Sequence, residues 1–126
     1  MLTFVLTFSV KRQILHYKTA LGKDPVAEFL DALSAKAAQK VVWVLLLLEE
    51  MAILPSKYFT KLTDTDDIWE AKISFGSNIY RVFFFFYEGN VVVLTHGIIK
   101  KTQKTPSGEI DKAEKYKKDY EGRHKK

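Results

Sequence analysis

The sequence contains no cysteine. That excludes a disulfide framework, a thiol nucleophile and a cysteine zinc site. Histidine is scarce: His16, His96 and His124 lie far apart and show no ligand spacing, so neither a metal nor another cofactor is expected. The longest apolar run, Val41–Leu48, is far short of the roughly 20 residues that cross a bilayer. The opening MLTFVLTFSVKR lacks the basic start and small-residue cleavage site of a secretory leader. A cytoplasmic protein without membrane association is the expectation. There is no Gly-rich phosphate loop and no Ser-His-Asp arrangement, which removes those routes to chemistry. Neither an internal repeat nor a Ser/Pro-rich linker interrupts the chain, so residues 1–126 read as a single domain.

The 126 residues are 47% hydrophobic and 28% charged, a balance that supports a packed core and rules out a disordered chain. The formal net charge is +5. All of it falls in residues 100–126, where ten Lys and Arg face five Asp and Glu; residues 1–99 balance. Such asymmetry suits a polyanionic partner, and equally a solvated C-terminal helix.

Periodicity alternates between the two regular types. Residues 3–10 are rich in Thr, Phe and Val and read as an added strand or an extension covering 1–12; residues 13–18 form a better strand. Asp24-Pro25 combines an N-cap with a proline at the first helical position. Ser34 caps a second helix with Ala37, Val41, Val44, Leu45 and Leu48 on one face, giving an N-terminal helical hairpin. Strands are then expected at 58–62, 68–74, 79–87 and 91–99, with Gly89 and Asn90 taking positive φ in the last turn. Thr105-Pro106 repeats the cap-and-proline signal before a basic helix to about Tyr120, whose inner stripe is Ile110, Ala113, Lys117 and Tyr120. The last residues, 122–126 included, are expected to fray. The class is α+β, with a small antiparallel sheet, the N-terminal helical hairpin and a C-terminal helix.

The chemistry concentrates at one end of this meander. If Ser74 pairs with Ile79, Lys72 lies directly opposite Arg81 on one face. Like charges so placed destabilise a sheet unless an anion lies between them, or unless Glu70, on the same face, neutralises one. The segment KKTQKT, with Lys100, Lys101 and Lys104, leads to a helix start that favours anions; it is either a phosphate grip or a polar turn. His96 is either a packed strand residue or an acid/base group, the only one nearby that titrates near neutrality. Its face relative to Arg81 depends on the length of the preceding turn.

The elements KLxDxxxIWEAK, YRVFFF, VLTHGIIKKTQKTP and EIDKAEKYKKDY, in this order from Lys61 to Tyr120, resemble the HigB-like branch of the RelE/ParE toxin superfamily. DPVAEFLDAL at 24–33 matches the start of that branch's helical hairpin. The resemblance spans roughly residues 13–121. It implies a RelE-like toxin that cleaves mRNA on the translating ribosome, without a metal, by attack of a ribose 2′-OH on the adjacent phosphate. It also implies inactivation by a HigA-like helix-turn-helix antitoxin. The family's phosphate-binding positions correspond to Lys72, Arg81, Lys100, Lys101 and Lys104, which makes Arg81 and Lys72 the expected catalytic residues; His96, on its own chemistry, is the alternative acid or base. Arg81→Ala is then expected to fold and lose activity. Two departures stand out: Lys72 replaces a common arginine, losing its bidentate fork, and Ile110 stands where some relatives carry a tyrosine. The rival readings are a ParE-like toxin acting on gyrase and a non-catalytic RNA- or ribosome-binding module.

Overall fold

The computed structural model describes residues 11–100 and 104–125. The expectation for residues 3–10 lies outside them. The order is β1 (Gln13–His16), α1 (Pro25–Asp31), α2 (Ala35–Glu50), β2 (Phe59–Lys61), β3 (Trp69–Phe75), β4 (Asn78–Tyr87), β5 (Val91–Lys100) and α3 (Ser107–Arg123). The strands form one five-stranded sheet in the order β1-β5-β4-β3-β2.

Local chemistry explains the helix starts. The Asp24 carboxylate accepts from Ala27 N–H at 2.9 Å and Ser34 Oγ accepts from Ala37 N–H at 3.2 Å, so each helix has a filled N-cap. The buried residues of α2 are Ala37, Val41, Val44, Leu45 and Leu48, the stripe that periodicity predicts.

Two expectations are corrected. The sheet is mixed rather than antiparallel, because β1 pairs in parallel with β5, Gln13 opposite Val91 and His16 opposite Leu94. The α+β class stands, but the described chain begins with a strand rather than a helical hairpin. α1 packs on β5, and α2 on β3 and β1, so each helix is seated by the sheet. β1 is short and half-buried. Its partner is chosen by the helices it must run beneath, not by a turn, and no local signal encodes that choice.

The sheet is covered on both faces, as the apolar run in β4 requires. Val82, Phe84, Val92 and Leu94 join the core under α1 and α2. Phe83, Phe85 and Val93 pack with Ala113 and Tyr120 of α3. Phe83, Phe84 and Phe85 are all fully buried, and each contributes on the order of 1.5–3 kcal/mol by leaving water. α3 continues to Arg123, beyond the expected end near Tyr120. There Arg123 donates to Asp119 Oδ2 and to the Lys18 carbonyl, and His124 stacks on Tyr120 with centroids 3.9 Å apart.

Candidate functional site

The hairpin between β3 and β4 turns through Gly76 and Ser77, with Gly76 at φ 63. This two-residue loop sets the register: Ser74 pairs with Ile79 and Lys72 with Arg81, as the sequence predicts. Across β4, Arg81 pairs with Ile98 and Ile79 with Lys100. Lys72, Arg81 and Lys100 therefore share one sheet face, because alternate residues of a strand point the same way. It is the face that carries α3.

The turn from β4 to β5 contains Glu88, Gly89 and Asn90, and positive φ falls on Glu88 and Gly89 rather than on Asn90. Tyr87 pairs with Val91, Phe86 with Val92 and Phe84 with Leu94. Without an irregularity, Thr95 would then oppose Phe83, and His96 would oppose Val82 on the other face. A β-bulge between Phe83 and Phe84 makes Phe83 pair with His96 instead. The one extra residue brings His96 to the face of Arg81. The opposite neighbour, Gly97, lies so close to Phe29 of α1 that an added Cβ would approach its ring to 2.5 Å.

Arg81 is 1% exposed. Its Nη1 donates to Glu70 Oε2 at 2.9 Å and to Thr105 Oγ1 at 2.8 Å. The Thr105 hydroxyl donates in turn to Glu70 Oε2 at 2.5 Å. Of the two sequence alternatives for the cation pair, neutralisation by Glu70 is the arrangement present. Thr105 does not cap α3: Pro106 occupies the N-cap without a side-chain bond, while Thr105 ties the start of the helix to the buried ion pair. Its placement was not readable from sequence, where the Thr-Pro dipeptide fits a capping role equally well.

His96 is buried, stacked on Phe83 at 4.9 Å and edge-on to Tyr116 at 5.7 Å. Its Nε2 lies 3.1 Å from Glu109 Oε1 and its Nδ1 3.1 Å from Thr95 Oγ1. Burial lowers its pKa to about 4; the Glu109 hydrogen bond and charge act in the opposite sense. The ring is then neutral at pH 7. A carboxylate only accepts, so the proton sits on Nε2 and the basic Nδ1 faces Thr95. Glu109, which sequence reasoning passed over, is thus a polar contact between α3 and β5.

Of the expected phosphate contacts, Lys72 is half-buried while Lys100 and Lys104 are exposed; Lys101 lies outside the described residues. The structure brings Lys72, Arg81, Glu70, Thr105, His96 and Glu109 to one end of the sheet, beside the start of α3. A cavity of about 490 Å³ between β1 and the far end of α3, lined by His16, Asp24 and His124, is separate from them. Among the described residues no group of His, Asp and Glu could hold a metal, and no helix is long and apolar enough to cross a membrane.

Fold and site together define a small α+β protein with a cation-bearing sheet end beside a basic helix. The family model for Gp49, described as phage-derived protein Gp49-like (DUF891), matches residues 28–118. The chain belongs to this family, which is RelE-like and associated with toxin-like proteins. A comparison with curated proteins gave no match.

Proposed function

We propose that the chain is the toxin of a type II toxin–antitoxin pair, an endoribonuclease that cleaves mRNA on the translating ribosome. The observation that carries the reading is Lys72 directly opposite Arg81, with Lys100 on the same face one pair further along. In the reaction the ribose 2′-oxygen bonds to the adjacent phosphorus and the bond to the 5′-oxygen breaks. The 2′-OH proton leaves, and a proton reaches the departing oxygen. The products are a cyclic phosphate and a free 5′-OH. The nucleophile belongs to the substrate, so the reaction asks the protein mainly for charge stabilisation and positioning. Lys72 and Lys100 would meet the phosphate, joined by Lys101 and Lys104 from the following segment. Arg81 would join them by exchanging the Glu70 carboxylate for the phosphate, one anion for another. His96 would act as a positioning residue that holds Glu109, or as a proton acceptor once Thr95 releases Nδ1. A HigA-like antitoxin would restrain the protein, in the cytoplasm.

A second reading, a non-catalytic RNA- or ribosome-binding module, is favoured by the engagement of Arg81 with Glu70 and of His96 with Glu109. A cleavage map separates the two. End-labelled mRNA is incubated with the protein, with and without programmed ribosomes. Cuts that require ribosomes, and that fall about a hundredfold in rate for Lys72→Ala, are expected for the nuclease. Intact RNA from folded protein that nevertheless binds it would establish the module.

A further inference from the structure

We propose that the outer face of α2 and the open edge of β3 form a binding track for single-stranded RNA that leads into the Lys72–Arg81 face. The choice of RNA rests on the nuclease reading; the track itself is an additional site. Two shallow depressions adjoin here, of about 500 and 330 Å³, and Lys40 lines both. On α2, Lys36, Lys40 and Trp43 recur at spacings of four and three residues and so share one helix face. Phe75, at the end of β3, closes the first depression. Lys57, Tyr58, Lys72 and Ser74 line the second together with Lys40.

Four lysines and no acidic residue line the two depressions. A cluster of one sign repels itself and concentrates a polyanion. The aromatic groups point to an unpaired strand rather than a duplex. Trp43 is 51% exposed and Phe75 38%. Lys40 Nζ lies 5.4 Å over the Trp43 ring, and Lys57 Nζ 5.3 Å over Tyr58. The Trp43 and Tyr58 rings meet edge to face at 6.1 Å. Exposed rings for stacking beside cations for the backbone are what binders of single strands combine.

The sheet edge contributes as well. The Tyr58 carbonyl accepts from Lys72 N–H at 2.7 Å, and β2 pairs only with Trp69–Ala71. By strand alternation the next edge-facing position is Ser74, which turns its backbone N–H toward the groove. Lys72 lines the groove and also opposes Arg81, so a strand lying along the track arrives at the cation pair.

The test uses the full chain and a cleavage-resistant 2′-O-methyl oligonucleotide, with binding read by fluorescence anisotropy over a salt series. Trp43→Ala is expected to weaken binding about tenfold, whereas Trp43→Phe retains most of it. Lys36→Ala with Lys40→Ala is expected to reduce the slope of log K against log salt by about 1.4. Both sites are on the surface, and thermal unfolding monitors the fold. Parental affinity in both variants, or displacement by duplex RNA or polyglutamate as effective as by single strands, overturns the track. The mRNA cleavage assay is run separately. Parent chain that binds the oligonucleotide but does not cut mRNA counts against the Lys72–Arg81 reading alone, and parent chain that cuts mRNA but does not bind the oligonucleotide counts against the track alone.

Discussion

Arg81 and Glu70 are 1% and 7% exposed at their side chains and 2.9 Å apart. Removing the arginine leaves a carboxylate buried beside Thr105, and breaking such a pair costs about 3–5 kcal/mol. Arg81→Ala is therefore expected to be strongly destabilised in urea denaturation, contrary to the expectation that it folds normally. Replacing both residues by leucine is expected to recover most of the loss. Stability of the single variant within about 1 kcal/mol of the parent would show that the pair contributes little. His96 gives a pH dependence of definite sign. Its folded pKa, about 4, lies below its ordinary value, so the unfolded chain binds the proton first as pH falls. The neutral ring's contribution is complete above about 6.5 and is lost progressively toward pH 4. Glu109 and Lys112 are the charged groups that act on it. Denaturation at pH 7 and pH 5 should show a smaller difference for His96→Phe than for the parent. Lys72 opposite Arg81 was legible in the sequence because a short glycine turn fixes register. The partnership of Arg81 with Glu70 was legible only as an alternative, since residue type does not say which anion a buried guanidinium takes.

Elements were read more securely than the contacts between them. The caps at Asp24 and Ser34 and the stripe of α2 follow from local spacing, and they stand where expected. The bulge in β5 was invisible, because Thr95 is as ordinary a strand residue as the one it displaces. Its companion Gly97 carries a testable consequence. In Gly97→Ala the new methyl meets the Phe29 ring, including Cγ at 2.7 Å, which the ring cannot avoid by rotating its far end. A loss of about 1–3 kcal/mol is expected from overpacking, measured by thermal unfolding, with Phe29→Leu in the same chain relieving part of it. At the end of α2, Arg12 donates to the carbonyls of Leu48 at 3.0 Å, Met51 at 2.6 Å and Ala52 at 3.2 Å. It satisfies groups that a helix C-terminus leaves open. Arg12→Ala is expected to destabilise by about 1–2 kcal/mol, with faster amide exchange confined to the last turn of α2. From sequence Arg12 falls in a stretch that reads as an added strand or an extension, since an arginine that caps a helix distant in sequence has no local signature.

At the level of the whole molecule, part of the C-terminal positive charge is spent within the fold. Lys117 donates to the Asp66 carbonyl at 2.6 Å from a buried position, Arg123 pairs with Asp119, and Lys112 lies 3.8 Å from Glu109. Cations that face outward include Lys100, Lys104, Lys112, Lys115 and Lys118 toward the C-terminus and Lys36 on the outer face of α2, where half-buried Lys40 lines the same depression. Net charge alone pointed only to the C-terminal group. The pairing of β1 with β5 has a consequence in time. Synthesis produces β1, α1 and α2 well before Val91–Lys100, so for most of translation β1 lacks its neighbour and the two helices lack part of their floor. Long-range contacts of this kind form late. A nascent chain halted before β5 would carry unburied apolar surface and a half-built cation face, open to chaperones and proteases. The last strand to be made is therefore the one that closes the sheet beneath both helices.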